Sequence, residues 1–328
     1  MKHLYIIGNG FDIYSGLHTR YSDFRRWLQT NYPFVYENME AAYEMDGEWW
    51  NNFEEQLGNL NINRYVRKFL PPEKPIEQII QEIEERRTKH PNYSLPPNLY
   101  HDSPCANRLR GLLDILQYCF ERWVDHVQRQ IVNPQYVDIE TEDAYFINFN
   151  YTDTIQRLYK VPDEQILHIH GRATKHDHLI FGHNKPMLGA TRHDFDGEKV
   201  GEALSHYNKN PYVCILKHDT LPIIIQDTQF VHIYGLSFSN IDEPYIDWVA
   251  MNTDANKWEI SNYSEEDKNQ IEKFILNHWI LRDRIKLIKL ENIKKTKQSP
   301  PQTSLPKVTM VTPHNNEITK RDIVGFLK

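Results

Sequence analysis

Lys2-His3-Leu4-Tyr5-Ile6-Ile7-Gly8-Asn9-Gly10-Phe11-Asp12, continuing to Gly16-Leu17-His18-Thr19, is the stretch that decides the fold. Leu4 to Ile7 is a short apolar run rich in β-formers, and it ends at a glycine pair. A strand apolar on both faces suits the centre of a parallel sheet. Glycine in the following turn leaves room for a diphosphate to approach the backbone amides, because any Cβ would occupy that space. A helix after the turn adds the positive end of its dipole. The third glycine of the usual dinucleotide fingerprint is not at its normal spacing, since position 13 is Ile13. A tight strand-to-helix turn with no ligand satisfies the same residues.

Downstream of this turn the pattern is helical for a long way. Helical spacing runs from Tyr21 to Tyr32, through residues 48–60 with Trp50, Phe53 and Leu57, and from Pro75 to Thr88. A loop rich in Pro, Asn and Ser covers 89–104, and a long helix is predicted from Cys105 to Val132. Strands follow at Ala144–Phe149, Ile166–Ile169, Phe230–Tyr234, Trp258–Ile260 and Ile285–Lys289, with a short one at His178–Phe181. Helices are predicted at Thr152–Tyr159, around Gly197–Asn208 and at Ser264–Leu276. Strands alternating with helices imply right-handed crossovers. The expected class is α/β: a Rossmann-like parallel sheet flanked by helices, with a large helical insertion at about 21–140 after the first strand. This domain spans 1–292, and 293–328 is a tail rich in Lys, Pro, Ser and Thr with a short helix at 317–327.

The chain has 328 residues, a net charge of -7 and 40% hydrophobic residues, which suits a folded protein and not nucleic-acid binding by bulk charge. Cys105, Cys119 and Cys214 are an odd number at wide spacing, neither a disulfide framework nor a zinc pattern. No apolar run nears the ~18 residues of a membrane span. A cytoplasmic protein with no membrane contact is expected.

Ligands of open parallel sheets bind beyond the carboxyl ends of the strands. Those ends carry Asn9 and Asp12 after the first strand and Asn150-Tyr151-Thr152-Asp153 after the second. The third ends in His168-Ile169-His170-Gly171, and a later one in Gly235-Leu236-Ser237-Phe238 with Asp242 shortly after. Strand alternation puts His168 and His170 on one side, and an imidazole titrates where a general base works. Asn150 alternatively caps the helix that follows. His168, His170, His176, His178 and His183 fall within 16 residues and invite a zinc reading, but without an H-E-x-x-H helix or a cysteine pair nearby no metal is expected. Trp49, Trp50 and Phe53 read as core, and Glu54 beside them is a carboxylate able to reach the crevice.

IIGNGFDIYSGLHTRYSDF, WWNNFEEQL, FNYTDT, HIHG and GLSFSNID together resemble the AbiH family of bacteriophage abortive-infection proteins, over roughly residues 3–290. The pattern is also similar, remotely, to sirtuin NAD-consuming domains. Gly8, Gly10, Gly16 and Leu17 match their first glycine motif in spacing, with Asp12 in place of a serine. Asn150 falls in the segment similar to their Thr-Gln-Asn-Ile-Asp, His170-Gly171 resembles their catalytic His-Gly, and Gly235-Leu236-Ser237 their late Gly-x-Ser. No four-cysteine zinc module is present, so deacylation is not implied.

The resemblance implies NAD as substrate or ligand, cleaved at its nicotinamide glycosidic bond with water as acceptor. Asn150, His170 and Asp12 would then be catalytic. Gly8, Asn9, Gly10, Gly16, Thr152, Gly171, Gly235, Ser237 and Asp242 would hold the nucleotide. Two alternatives stay open: a nucleotide-sensing defence module without turnover, and a metal-dependent nuclease or phosphatase using the histidine cluster. The partners implied are a small-molecule nucleotide, with a phage-derived trigger and a homo-oligomeric state both left open.

Overall fold

Strand β1 (His3–Ile7) is central because nothing polar interrupts Leu4 to Ile7, and all four side chains are buried. It pairs in parallel with β2 (Ala144–Asn148) on one side and β4 (Phe230–Tyr234) on the other, so that Ile6 lies beside both Ile147 and Ile233. β3 (Ile166–His168) adds beyond β2, while β5 (Lys257–Ser261) and β6 (Ile285–Ile288) add beyond β4. The order β3-β2-β1-β4-β5-β6 is parallel throughout. From β1 the chain winds outward in one direction and then, from β4, in the other. The crevice between β1 and β4 is therefore the topological switch point, where such sheets bind ligands. This computed structural model describes residues 2–45, 48–70, 76–89, 103–175, 177, 179–185, 195–239 and 241–293.

Thirteen α-helices lie among the described residues. α1 (Asn9–Tyr14) leaves the glycine turn. The insertion holds α2 (Tyr21–Asn31), α3 (Pro33–Tyr43), α4 (Phe53–Leu57), α5 (Ile62–Phe69), α6 (Ile76–Lys89) and α7 (Pro104–Gln128). α8 (Thr154–Tyr159) joins β2 to β3, and α9 (Phe195–Ser205), α10 (Pro211–Leu216) and α11 (Leu221–Gln226) lie between β3 and β4. α12 (Glu243–Asn252) and α13 (Glu265–Asn277) complete the last two crossovers.

Three apolar cores follow from this winding. Alternate residues of β1 face opposite ways: Tyr5 and Ile7 pack with Phe146 and with Ile155 of α8, while Leu4 and Ile6 pack with Ile246 of α12 and Ile271 of α13. The third core belongs to the helical layer, where Phe24, Trp50 and Phe53 pack against Phe120 and Trp123 of α7. α7 starts where Ser103 caps it, its hydroxyl accepting from the Ala106 amide at 3.1 Å.

Several expectations need adjustment. The helical layer is not built from the insertion alone, because Val200, Ala203 and Leu204 of α9 join its core. No strand forms over Leu179–Phe181; the Ile180 amide instead donates to the His170 carbonyl at 2.8 Å. α7 ends at Gln128, before the expected Val132. α3, α5, α10, α11 and α12 are additional; α5 is an eight-residue helix whose start is set by Asn61 accepting from the Arg64 amide. His178, most of the 89–104 loop and the tail beyond Ile293 lie outside the described residues.

Candidate functional site

The glycine turn packs against the loop that leaves β4. The Gly8 amide donates to the Tyr234 carbonyl at 3.0 Å, and the Gly10 amide donates to the Gly235 carbonyl at 2.7 Å. A Cβ on Gly8 would sit 2.5 Å from the Leu236 Cα, and one on Gly10 would sit 2.8 Å from the Gly235 Cα. Gly235 has φ +67°, a left-handed conformation, and a Cβ there would collide with the Phe11 amide nitrogen. The space kept open by these glycines is thus filled by a second backbone, where a diphosphate was expected. Gly8 does not line the cavity beside them, whereas Gly10 and Gly235 do.

Asp12, Asn150 and Thr152 are drawn together across the β1–β2 boundary. The Thr152 hydroxyl donates to Asp12 Oδ2 at 2.5 Å, and the Asn150 side-chain amide donates to the Gly8 carbonyl at 3.0 Å. Asn150 is no helix cap, since α8 starts at Thr154 with Asp153 before it. Burial pushes the Asp12 carboxyl up to about 6, against the pull of the nearby Thr152, Thr154 and Asn150 side chains, which favour its charged form. Asn9 turns its side-chain amide to the Thr19 carbonyl at 2.8 Å, tying down the loop before α2.

His170 lies past the end of β3, which stops at His168, so strand alternation no longer relates the two rings. His168 bonds Gln156 at 2.8 Å and does not line the cavity. His170 is buried and lines it. Its Nδ1 faces the Phe149 carbonyl at 3.4 Å, an acceptor only, so Nδ1 carries the hydrogen and the Tyr245 hydroxyl donates to Nε2 at 3.0 Å. Burial, helped by the nearby Lys209 charge, holds this imidazole well below the usual histidine range. It is neutral, and both nitrogens are engaged within the fold.

The opposite wall comes from the helical layer and the loop before α10. Lys209, 3% exposed, places its ammonium 3.2 Å from Glu54 Oε2. The Tyr151 hydroxyl lies 3.1 Å from Glu54 Oε1. His183 sets this lysine's place: its amide donates to the Tyr207 carbonyl and its own carbonyl accepts from the Lys209 amide. One histidine of the cluster is therefore structural. Asp242 stands on the loop after β4, with the Ser237 and Ser239 hydroxyls each 3.4 Å from Oδ2.

These groups surround a cavity of about 810 Å³ at the switch point, within the usual range for small-molecule sites. Asn9, Gly10, Asp12, Asn150, Thr152, His170, Gly235, Ser237 and Asp242 all line it. Gly8, Gly16 and Gly171 do not; Gly16 is an exposed residue at φ +99° with open space around it. Glu54 does reach the crevice. Lys209 and Tyr245 carried no signal in the sequence, because a lysine between polar loop residues reads as solvated and a tyrosine in an apolar helix reads as core.

Among the described residues no three His, Cys, Asp or Glu side chains are grouped to hold a metal ion, and His176 and His178 lie outside them. None of the three cysteines forms a disulfide, and all three are buried. Among the described residues no helix is long and apolar enough to cross a membrane.

No curated protein and no solved structure matches the chain. A family model described as bacteriophage abortive infection AbiH matches residues 4–296, nearly the whole chain, and the protein belongs to the AbiH family.

Proposed function

We propose that this AbiH protein is a cytoplasmic NAD-consuming enzyme that acts when a phage infects the cell. Family membership implies the abortive-infection role; the substrate and the reaction are our reading. It would bind NAD in the cavity at the switch point and hydrolyse the bond between nicotinamide and ribose. One observation carries this reading: Asp12, Asn150, His170 and Asp242, distant in sequence, border a single cavity with a carboxylate-rich interior.

The chemistry of that interior fits the substrate. NAD carries a positive pyridinium, and positive charge moves to the ribose ring as the bond breaks. Fixed carboxylates near that ring stabilise the charge where it develops. Nicotinamide leaves as a neutral molecule, so no acid is required for it. Trp50, Phe120 and Phe149 offer aromatic surface for flat rings. Arg20 and Lys289, which also line the cavity, supply positive charge for the diphosphate.

The test combines binding with turnover. Purified full-length protein is titrated with NAD and with ADP-ribose, and nicotinamide release is followed in parallel. NAD at 100 times its dissociation constant should stabilise the protein by about 2.7 kcal/mol. NAD should also fall in infected cells carrying the wild-type gene and stay level in cells carrying Asn150→Ala. Stabilisation by NAD without product, in vitro and during infection, would replace the enzyme by a sensing module. The absence of both stabilisation and NAD loss overturns the reading altogether.

A further inference from the structure

Two carboxyl groups border the cavity with their proton affinity raised by burial, and the fold treats them differently. Asp12 is sealed. It is 1% exposed, its Oδ2 is held by Thr152, and its Oδ1 has neither a hydrogen-bond partner nor contact with solvent. Asp242 is open. It occupies the N-cap of α12, where an aspartate ordinarily accepts from the amides of the first turn. Here the carboxylate makes no cap bond; among the described residues its hydrogen bonds come from the Ser237 and Ser239 hydroxyls, at the long distance of 3.4 Å. The residue is half-buried and lines the cavity, with oxygen lone pairs left over for a ligand.

Its charged surroundings come from every element around that wall. Lys209 approaches from the loop before α10, Glu54 from α4, and the phenols of Tyr21, Tyr151 and Tyr245 from α2, the loop between β2 and α8, and α12. Burial pushes the Asp242 carboxyl up to about 6, Lys209 opposes this and Glu54 adds to it. The group is then mostly ionised at neutral pH while remaining as basic as a carboxylate can usefully be. His170 has no such freedom, because both its nitrogens are engaged.

We propose that Asp242 is the proton acceptor of the reaction, taking the proton of the attacking water, while His170 is a positioning residue for the wall behind it. The assignment rests on the NAD reading for its substrate. Water oxygen bonds to the anomeric carbon of the nicotinamide-bearing ribose. The carbon–nitrogen bond breaks, and its electron pair neutralises the pyridinium. The water proton passes to an Asp242 oxygen. The products are nicotinamide, ADP-ribose and protonated Asp242, which returns the proton to solvent in the cavity.

The experiment compares wild type, Asp242→Asn and Asp242→Glu as full-length proteins. It measures NAD turnover across pH, NAD affinity by calorimetry, and the wild-type aspartate carboxyl carbons by NMR. Asp242→Asn should lose roughly 100-fold or more in kcat, with NAD affinity within about threefold of wild type, and Asp242→Glu should recover part of the rate. Wild-type kcat should rise with pH through about 6, and the asparagine variant should lack that limb. Turnover by Asp242→Asn within about threefold of wild type overturns the assignment and leaves the NAD reading standing. If wild type neither binds nor consumes NAD, the NAD reading fails, and the carboxyl titration judges Asp242 separately. A midpoint near 6 keeps it as the cavity's proton acceptor for another substrate. A midpoint near the ordinary ~3.9 removes it.

Discussion

The segments that leave β1 and β4 cross at the switch point and both line the cavity, but their carboxyl groups stand in opposite relation to it. The first, Gly8 to Asp12, is closed: its glycines press against the other loop's backbone, the Gly10 amide is bonded to Gly235, and Asp12 is sealed. The second, Gly235 to Asp242, is open: its glycine completes the crossing, and its carboxylate then faces the cavity unbound by its own helix. Glycine here marks where two backbones must touch. The carboxylate that escapes local hydrogen bonding marks where a ligand can be acted on.

The crossing itself should be the most fragile part of this arrangement. Gly235→Ala forces a side chain into a left-handed conformation and against the Phe11 amide. Strain and overpacking together should cost about 4 kcal/mol, read by chemical denaturation. A loss below about 1 kcal/mol, the size of an ordinary point substitution, would mean that the loops can part and the closed side is not closed.

Next in size is the sealed carboxyl. The folded-state value of Asp12, about 6, lies above the ordinary 3.8 of the unfolded chain. The folded protein therefore binds this proton more tightly. The contribution is fully present below pH 3.8 and is lost as pH rises through about 6, amounting to about 3 kcal/mol over that range. Asp12→Asn should abolish this slope, so the stability difference between wild type and variant should shift in the variant's favour as pH increases. Parallel stability curves for the two proteins would show that Asp12 is not buried as described. The smallest effect belongs to the wall behind the open loop. Tyr245→Phe leaves His170 Nε2 without its donor and should cost about 1–2 kcal/mol. In a double-substitution cycle with His170→Ala, most of that loss should disappear. A cycle that adds independently would separate Tyr245 from His170.

The two loops also show why some of the site was legible and some was not. Asp12, Asn150, His170, Gly235 and Asp242 were readable because they follow short apolar runs, and a parallel sheet gathers the residues after such runs at one end. The six strands were readable for the same reason, although the run at 178–181 misled, since Leu179 and Phe181 serve the helical core while Ile180 packs against the sheet core without joining a strand. Lys209 was invisible: its burial depends on His183 holding its backbone and on Glu54 arriving from α4. Neither partner is near it in sequence. The pairing of His168 with His170 failed because alternation holds only while the strand continues, and β3 ends between them.

Taken alone, the sequence determined the class of fold, the long helical insertion and the end of the sheet where polar residues collect. These depend on local periodicity and on short strands whose neighbours they must find. Tertiary structure alone decided what each polar residue does there. Which glycine touches backbone, which carboxyl is sealed and which is open, and which lysine is buried all depend on contacts between segments far apart in the chain. Burial and charge at a cavity wall are properties of the assembled surroundings, and no window of sequence contains them.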